Sequence, residues 1–398
     1  MKENWKQFTL LVIVNAFVGG MIGLERSILP ALAENIFHIA AKTAILSFIL
    51  VFGLVKAFAN YFTGALANQL GRRNLLIAGW AIGLPVPFLL IYAPNWNWII
   101  AANILLGINQ GLTWSSTVVM KIDLVGEKNR GLAMGLNEFS GYLAIALVAF
   151  LTGWLAGNYG IRPVPFYTGI FLVIAGLFTS IFLIRESSPH IQKEVATSRV
   201  PLRKNLFRET TWSDPNLGAV TQAGLINNLN DGMAWGLFPL LLASKGFDMG
   251  KIGLIMAIYP AVWGIAQLFT GYLADLYSKK NILYAGMLVQ ALALFLFPLA
   301  DTLVAFIALS VLLGLGTAMV YPSFLATIAD YTHPHDRAKS LGIFRFWRDL
   351  GYAIGALLTG VLADRFSIAI SIYAVAGLTL FSALLILFRM TRQTGVST

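Results

Sequence analysis

Long apolar stretches alternate with short polar breaks along the whole chain, and several breaks contain glycine or proline. A helix needs about 20 mostly apolar residues to cross the hydrocarbon core of a bilayer. The pattern predicts twelve such helices and therefore an all-α membrane protein. The predicted transmembrane helices cover 8–30, 43–67, 75–94, 98–120, 131–156, 164–184, 216–243, 250–275, 281–299, 302–328, 338–363 and 368–388.

Lysine and arginine are unequally divided between the two sides that this topology defines. Nineteen of the 28 fall on the side of the N-terminus, five fall in loops on the opposite side, and four lie within predicted helices. Cytoplasmic loops carry such an excess of positive charge. Both termini are therefore predicted to be cytoplasmic, in a multi-pass protein of the cell (inner) membrane.

The two parts of the chain on either side of a long polar stretch resemble each other. With an offset of 207 residues, Gly64-Ala-Leu-Ala-Asn68 aligns with Gly271-Tyr-Leu-Ala-Asp275. A parallel repeat of this kind places a substrate site near the middle of the membrane, between the halves. The predicted domains are an N-terminal six-helix half at 1–185, a cytoplasmic linker at 186–215 and a C-terminal six-helix half at 216–398.

Composition narrows the classes of function. Of the 398 residues, 58% are hydrophobic and 12% are charged, whereas about a quarter are charged in soluble domains. There is no cysteine, and the four histidines lie in predicted loops without acidic residues at metal-ligand spacing. No nucleophile–base set or phosphate-binding loop is present. The sequence therefore predicts no enzyme, no metal site, no cofactor and no nucleic-acid partner.

Charged residues inside the predicted helices are the strongest candidates for a functional site. Each costs about 2.5–3.5 kcal/mol at the centre of a transmembrane helix, so it needs pairing, water or a substrate. Four are acidic and four are basic: Glu25, Arg26, Lys56, Glu138, Asp231, Arg345, Arg348 and Asp349. The first two lie near the outer end of the first helix and predict an outer-gate bridge.

Two arginines and an aspartate share the eleventh predicted helix. At a rise of 1.5 Å per residue, Arg345 and Arg348 lie about 10 and 15 Å inside the membrane. Asp349 is four residues after Arg345 and is expected to pair with it, which leaves Arg348 for an external partner. Alternatively, the three charges only attach this helix to a neighbour. Lys56, near the middle of the second helix, either meets an anionic substrate or bridges the halves to an acid such as Asp349.

The fifth predicted helix carries Glu138, for which two roles stay open. A buried carboxylate can load and release a proton. The offset of 207 residues also makes Glu138 equivalent to Arg345, so Glu138 could be a fixed ion-pair partner of Arg345 or Arg348.

The seventh predicted helix is too polar for contact with lipid, since it carries Asn227, Asn230 and Asp231. Gly232, Gly236 and Pro239 follow and predict the discontinuous helix typical of substrate sites in transporters. Together with the eleventh helix, this segment is predicted to bind the solute.

The segment Gly64-Ala-Leu-Ala-Asn-Gln-Leu-Gly-Arg-Arg73 and its second-half copy resemble the signature of the major facilitator superfamily. The resemblance covers essentially the whole chain and is nearest to the branch of drug or metabolite–proton antiporters. It implies a gating motif in which a glycine permits close packing and an acid engages the facing half. The motif residues here are Gly64, Asn68, Gly71, Arg72, Arg73, Gly271 and Asp275.

The resemblance and the buried charges together predict a secondary transporter that works by alternating access, with proton-coupled efflux (antiport) of a drug or metabolite as the leading hypothesis. Uptake or exchange of an organic anion or metal chelate through a Lys/Arg clamp is one alternative, and a non-transporting membrane receptor is another. The expected partners are a small solute, protons and lipid, and the family resemblance implies a monomer. Predicted substrate-binding residues are Lys56, Asn227, Asn230, Asp231, Arg345 and Arg348; predicted proton-coupling residues are Glu138, Asp231 and Asp349.

Overall fold

The computed structural model describes residues 4–125, 130–187, 205–332 and 334–391. Within those ranges, the side chains of 64–69, 122–123, 125, 130–134, 271–276, 329–330 and 334–339 fall outside the description.

The described chain is helical almost throughout. Its α-helices are α1 (Trp5–Arg26), α2 (Leu29–Asn35), α3 (Lys42–Ile45), α4 (Ser47–Leu70), α5 (Arg72–Gly83), α6 (Val86–Tyr92), α7 (Trp96–Val125), α8 (Arg130–Tyr159), α9 (Val164–Phe182), α10 (Leu206–Arg208), α11 (Pro215–Ser244), α12 (Met249–Leu276), α13 (Lys279–Leu296), α14 (Leu303–Tyr331), α15 (Pro334–Arg365) and α16 (Ile368–Arg389). A π-helical turn at Glu209–Ser213 and a 3-10 turn at Phe297–Leu299 complete the helical segments.

A helix, or two consecutive helices, occupies each predicted transmembrane range. By length and composition, eight described segments are apolar enough to cross a membrane, and twelve crossings stay a prediction. The predicted ranges outside those eight belong to α4, α7, α11 and α15. Helices α7, α11 and α15 carry many buried polar side chains, which lower their mean hydropathy, and α4 contributes the shorter apolar stretch Ser47–Thr63. The eight segments are Trp5–Asn35, Arg72–Tyr92, Gly135–Tyr159, Val164–Phe182, Met249–Thr270, Lys279–Leu299, Leu303–Ile328 and Ile368–Arg389.

The predicted break in the seventh transmembrane helix is wrong. Helix α11 runs without interruption for 30 residues, with Pro239 inside it. Its glycines serve close packing instead. A Cβ on Gly232 would lie 3.1 Å from the backbone of Tyr352, and one on Gly236 would lie 2.7 Å from the Leu46 side chain. Absence of a side chain at these positions lets neighbouring helices approach α11.

Two long helix pairs form most of the contact between the halves. Helix α4 of the N-terminal half packs along α15, and α8 packs along α12. We call the end of the bundle that holds residues 185–187 and 205–214 the linker end, and the opposite end, which holds residues 27–46, the distal end. The linker end is the one predicted to face the cytoplasm.

The loop between α4 and α5 lies at the linker end. Gly71 has φ +82°, a conformation that glycine adopts more readily than other residues. The Glu186 carboxylate accepts hydrogen bonds from the backbone N–H groups of Arg72 (3.3 Å) and Arg73 (2.9 Å), which begin α5. This part of the predicted gating motif therefore fixes a tight turn. Gly64, Asn68, Gly271 and Asp275 lie where side chains are not described, so their gating role stays a prediction.

The halves touch through backbone at the distal end. A Cβ on Gly153 would lie 2.6 Å from Cα of Gly253, and one on Gly360 would lie 2.7 Å from Cα of Thr43. Gly153 and Gly360 are equivalent positions of the repeat, separated by 207 residues. The two interfaces, α8 with α12 and α15 with α3, therefore close the distal end in the same way.

Asp364 adds a polar contact to this closure. Its carboxylate accepts hydrogen bonds from the backbone N–H groups of Lys42 and Thr43, the latter at 2.9 Å. Partial burial acts to raise the pKa of Asp364, but the bonds from Thr43 and Lys42 outweigh it and hold the pKa below its usual range. A carboxyl group whose pKa is depressed by folding stabilises the folded state at pH values above its ordinary pKa. This stabilisation is lost as the pH falls through the depressed pKa.

Replacing Asp364 by asparagine is expected to loosen the distal end at neutral pH. Because the chain has no cysteine, a single Leu46→Cys replacement reports closure: Leu46 is buried against Gly236. Labelling by a membrane-impermeant maleimide should be faster with Asp364→Asn and unchanged with Asp301→Asn. In the protein that carries only Leu46→Cys, the hydrogen bonds to Asp364 should persist when the pH falls from about 7 to about 5. Equal labelling in both variants would contradict the role of this carboxylate.

Candidate functional site between the two halves

A small cavity lies between the halves, beside the middle parts of α4, α8 and α15. It offers about 20 Å³ to the centre of a water-sized sphere, room for about one water molecule. A drug-sized solute needs a larger pocket, so side chains or helices must move before one can bind. The ionisable lining residues, tyrosines apart, are Lys56, Glu138, Arg345, Arg348 and Asp349. The aromatic lining residues are Trp114, Tyr142, Tyr321 and Tyr352.

The lining follows the internal repeat. Equivalent positions of the two halves face the cavity together, on α7 and α14 and on α8 and α15. The equivalent pairs are Trp114 with Tyr321, Glu138 with Arg345, Tyr142 with Asp349, and Ile145 with Tyr352. The cavity therefore lies at the predicted place, between the halves.

Asp349 is surrounded by four donors. Its carboxylate accepts hydrogen bonds from the side-chain amides of Asn60 (2.5 Å) and Asn228 (3.2 Å). The Arg348 guanidinium lies 3.4 Å away and the Lys56 ammonium 4.0 Å away. Because Lys56 and Asn60 belong to α4 and the others to the C-terminal half, this carboxylate connects the two halves.

The predicted pair of Arg345 with Asp349 is wrong. Asp349 points toward α4 and α11, where two amides and Lys56 meet it, and its neighbour Arg348 takes the place of Arg345. Spacing of four residues permits a contact along one helix but does not decide against partners on adjacent helices. The bridge between Lys56 and Asp349, one of the two predicted roles of Lys56, is present.

Three aromatic rings surround the Lys56 ammonium. Its Nζ lies 5.4 Å from the ring centroid of Tyr352, 5.6 Å from that of Phe52 and 5.8 Å from that of Trp114. These distances are within the range of cation–π attraction, which is stronger in a desolvated site. Aromatic rings and Asp349 together stabilise this buried charge.

Arg348 also has a fixed set of neighbours. Its guanidinium carbon lies 4.5 Å from the Tyr321 ring centroid, and its NH2 group donates to the Tyr142 hydroxyl at 3.2 Å. Tyr142 in turn packs on Trp263 of α12, with ring centroids 3.6 Å apart. Arg348 is therefore part of the cavity wall and joins α15 to α8.

Glu138 is buried on α8 and faces the cavity. Its Oε1 accepts hydrogen bonds from the Asn137 amide at 2.9 Å and from the Trp114 indole at 3.2 Å. Oε2 has no hydrogen-bond partner among the described residues. The Asn137 amide oxygen accepts from the Lys121 ammonium at 2.5 Å, so an amide separates that cation from Glu138.

Arg345 lines the same cavity and is half-buried. Within the described ranges, no hydrogen bond or ion pair joins its guanidinium to another side chain. The predicted ion pair of Glu138 with Arg345 or Arg348 is likewise not formed in this part of the chain. Glu138 and Arg345 therefore face one cavity as two unpaired charges of opposite sign.

A buried ion pair closes the cavity toward the distal end. Arg26 of α1 and Asp231 of α11 form two parallel bonds of 2.7 and 2.8 Å across the halves, and both side chains are at most 1% exposed. The Tyr352 hydroxyl donates to the same carboxylate at 2.5 Å. We call Arg26, Asp231 and Tyr352 the distal latch. The predicted outer bridge is thus made by Arg26, whereas Glu25 accepts a hydrogen bond from Asn103 at 3.4 Å.

The three predicted binding residues of α11 lie away from the cavity lining: Asp231 belongs to the distal latch, and Asn227 and Asn230 have other surroundings. Asn230 donates to Gln290 at 3.1 Å and accepts from Thr379 at 2.8 Å, which joins α11 to α13 and α16. Asn227 is buried, and its amide has no hydrogen-bond partner among the described residues. Their predicted contact with a solute stays a prediction.

Sequence reasoning missed the aromatic part of the site. Trp114, Tyr142 and Tyr321 lie in helices whose other aromatic residues face lipid or the core, so residue type alone does not single them out. The internal repeat carries the missing signal, because Trp114 and Tyr321 are equivalent positions. Within the described ranges, no group of three or more acidic or histidine side chains could hold a metal ion.

Comparisons with known proteins agree with this architecture. A family model described as Major Facilitator Superfamily matches residues 9–223 and 220–397. The multidrug resistance protein MdtG of Salmonella typhimurium is 25% identical over 402 aligned positions, which cover 96% of this chain and 95% of that protein. MdtG of Klebsiella pneumoniae (strain 342) is 25% identical over 395 positions, which cover 96% and 93%.

A solved structure shows the same fold. The crystal structure of a bacterial homolog of the human lysosomal transporter Spinster, in an inward-facing and unoccupied conformation, has a TM-score of 0.73 and 12% sequence identity, with 96% of each chain covered. Two similar helical halves around a charged cavity define a multi-pass membrane transporter. The chain belongs to the Major Facilitator Superfamily, as the sequence motifs predicted.

Proposed function

We propose that the protein is a secondary transporter that exports a small organic solute in exchange for protons. The observation that carries this proposal is the state of Glu138: it is buried at the cavity, one oxygen is unpartnered, and no described cation lies within ion-pair distance. The names of the relatives, multidrug resistance proteins, support the direction of transport.

The other acids of the cavity region already have partners. Asp231 accepts two bonds from Arg26, and Asp349 accepts bonds from two amides with two cations nearby. Glu138 is the acid of this cavity whose bare oxygen can take up a proton without breaking an ion pair.

Several charged and titratable groups lie around Glu138. Lys56 comes from α4, Lys121 from α7, Tyr142 from α8, and Arg345 and Arg348 from α15. Movement of α15 away from α8 takes Arg345 and Arg348 away from Glu138, so the charges that surround this carboxyl group depend on the conformation of the two halves.

Tyr352 connects the cavity to the distal latch. Its ring is one of the three around the Lys56 ammonium, and its hydroxyl donates to Asp231. A solute that displaces Lys56 or the Tyr352 ring also disturbs the bond to Asp231. With the linker end in the cytoplasm, as the positive charges predict, the described state is closed to the outside, and solute binding from the inside loosens that closure.

Glu138→Gln is expected to abolish transport driven by a pH gradient, because the amide cannot take up a proton. Solutes are first selected by thermal shift of the purified protein against cationic, anionic, neutral and zwitterionic compounds. Their flux is then measured in sealed vesicles with and without an imposed pH gradient. The variant should lose gradient-driven flux down to the level of protein-free vesicles.

The same vesicles separate coupling from transport. Exchange of labelled for unlabelled solute without a pH gradient needs no proton, so Glu138→Gln should still exchange when the solute is supplied at saturating concentration, although its affinity for the solute is lower. Asp301→Asn, which changes an exposed distal acid paired with Lys245, is the matched control and should keep both activities. Gradient-driven flux that survives in Glu138→Gln would overturn the assignment of Glu138, and saturable binding without any flux would support a receptor instead.

A further inference from the structure

Two unpaired charges of opposite sign face one cavity from the two halves. Glu138 lines the cavity from α8 and has one buried carboxylate oxygen without a hydrogen-bond partner, and Arg345 lines it from α15 with a half-buried guanidinium that no described side chain binds. We propose, on the basis of the proposed transport function, that the solute is a zwitterion that places an ammonium group at Glu138 and an acidic group at Arg345.

The equivalence of the two positions supports one solute spanning both. Glu138 and Arg345 are separated by the repeat offset of 207 residues, so they occupy matching places on matching helices. The two side chains belong to α8 and α15, which lie in different halves and move relative to each other in alternating access. A solute bound to both charges therefore contacts both halves at once.

Charge balance in the cavity favours a solute with both signs. An unpaired charge in a desolvated site is costly, and a partner of opposite charge removes much of that cost. A monoanion neutralises Arg345 and leaves Glu138 bare; a monocation does the reverse. A solute with an ammonium and an acidic group satisfies both without adding net charge.

The remaining charges of the cavity are already engaged. Lys56 and Arg348 share Asp349, three aromatic rings surround Lys56, and Arg348 contacts Tyr142 and Tyr321. An anion clamp built on Lys56 and Arg348 would have to break these contacts. Arg345 can bind an acidic group without losing a described partner, and an arginine fork suits carboxylate or phosphate oxygens.

Zwitterion binding also explains exchange for protons. The solute ammonium and a proton compete for the same oxygen of Glu138. Protonation of Glu138 removes the charge that holds the ammonium, so a proton arriving from outside promotes release of the solute. The acidic group at Arg345 takes no part in that competition.

Matched triplets of compounds test the charge requirement. Each triplet consists of an amino acid, its N-acetyl derivative and its methyl ester, on aromatic (tryptophan) and aliphatic (leucine) skeletons. The three members carry both charges, only the negative charge, or only the positive charge. In binding to the purified protein at neutral pH, the best zwitterion should bind about tenfold or more tightly than either of its derivatives.

Two variants assign the charges to their residues. In the parent protein, zwitterion binding should weaken at low pH, because protonation of Glu138 removes the charge that holds the ammonium. Arg345→Gln should bind the zwitterion and the ester equally and should still bind more weakly at low pH. Glu138→Gln should bind zwitterion and N-acetyl derivative equally and lose that pH dependence. Arg365→Gln, at the exposed distal end of α15, should behave as the parent. Arg345→Lys keeps the charge and should retain part of the zwitterion preference.

Other outcomes overturn the inference. Equal or tighter binding of the N-acetyl derivative shows an anion site, equal or tighter binding of the ester shows a cation site, and no binding by any zwitterion also rejects it. These results leave the proposed function intact if a pH gradient still drives solute flux in the parent protein and Glu138→Gln abolishes that flux. Loss of that coupling rejects the proposed function, whichever derivative binds.

Discussion

Replacing Arg26 by methionine is expected to lower the stability of the protein by about 3–5 kcal/mol, because it leaves the Asp231 carboxylate buried without its counter-charge. The two bonds between these side chains, of 2.7 and 2.8 Å, and their burial make the loss large. The single Asp231→Leu replacement should cost a similar amount, since it leaves the Arg26 guanidinium unpaired. Thermal unfolding of the purified protein measures both.

The double variant separates two effects: the cost of leaving one charge buried without a partner, and the loss of the contact between Arg26 and Asp231 itself. Arg26→Met combined with Asp231→Leu removes both charges and should recover most of the lost stability. It still lacks the bond across the halves, so Leu46→Cys should remain more accessible to maleimide than in the parent. Lys245→Met is the control, because Lys245 is half-buried, its partner Asp301 is exposed, and ion pairs near the surface contribute about 0–1 kcal/mol. A loss for Arg26→Met no larger than for Lys245→Met would contradict the latch.

Introducing valine at Gly153 is expected to hold the halves apart at the distal end and stop transport. A Cβ there would lie 2.6 Å from the backbone of Gly253 in the opposite half. Backbone cannot rotate away as a flexible side chain can, so the helices must separate. Gly360→Val should act in the same way against Thr43, since a Cβ there would lie 2.7 Å from its Cα.

The measurement again uses the single cysteine at position 46. Both valine variants should raise its labelling rate and reduce flux, while the folded protein loses about 1–3 kcal/mol from overpacking. Gly377→Val is the control, because a Cβ at Gly377 meets no described atom within 4 Å. If Gly153→Val transports as fast as Gly377→Val, the closed distal interface is not part of the transport cycle.

The helices and the two halves could be predicted because they depend on local and averaged properties. Apolar length and the repeat offset are visible in the sequence, and helices occupy the predicted ranges. The predictions failed where the packing of adjacent helices determines the local conformation. Helix α11 stays helical through Pro239 because surrounding helices and its own hydrogen bonds hold it in a packed core. Its glycines proved to be contact points, which residue type alone cannot distinguish from breaks.

The charged positions were found from the sequence, but their partners were not. Placement of eight ionisable residues inside apolar helices requires compensation, so their importance follows from composition and position alone. Which acid meets which base depends on helix rotation and on how the halves dock, and two of the pairs, Arg26 with Asp231 and Lys56 with Asp349, are separated by more than 200 residues. Asp231 pairs with Arg26, Asp349 pairs with Arg348 and Lys56, and Glu138 and Arg345 stay unpaired. Pairing is a property of distance in space, so only the packed structure decides it.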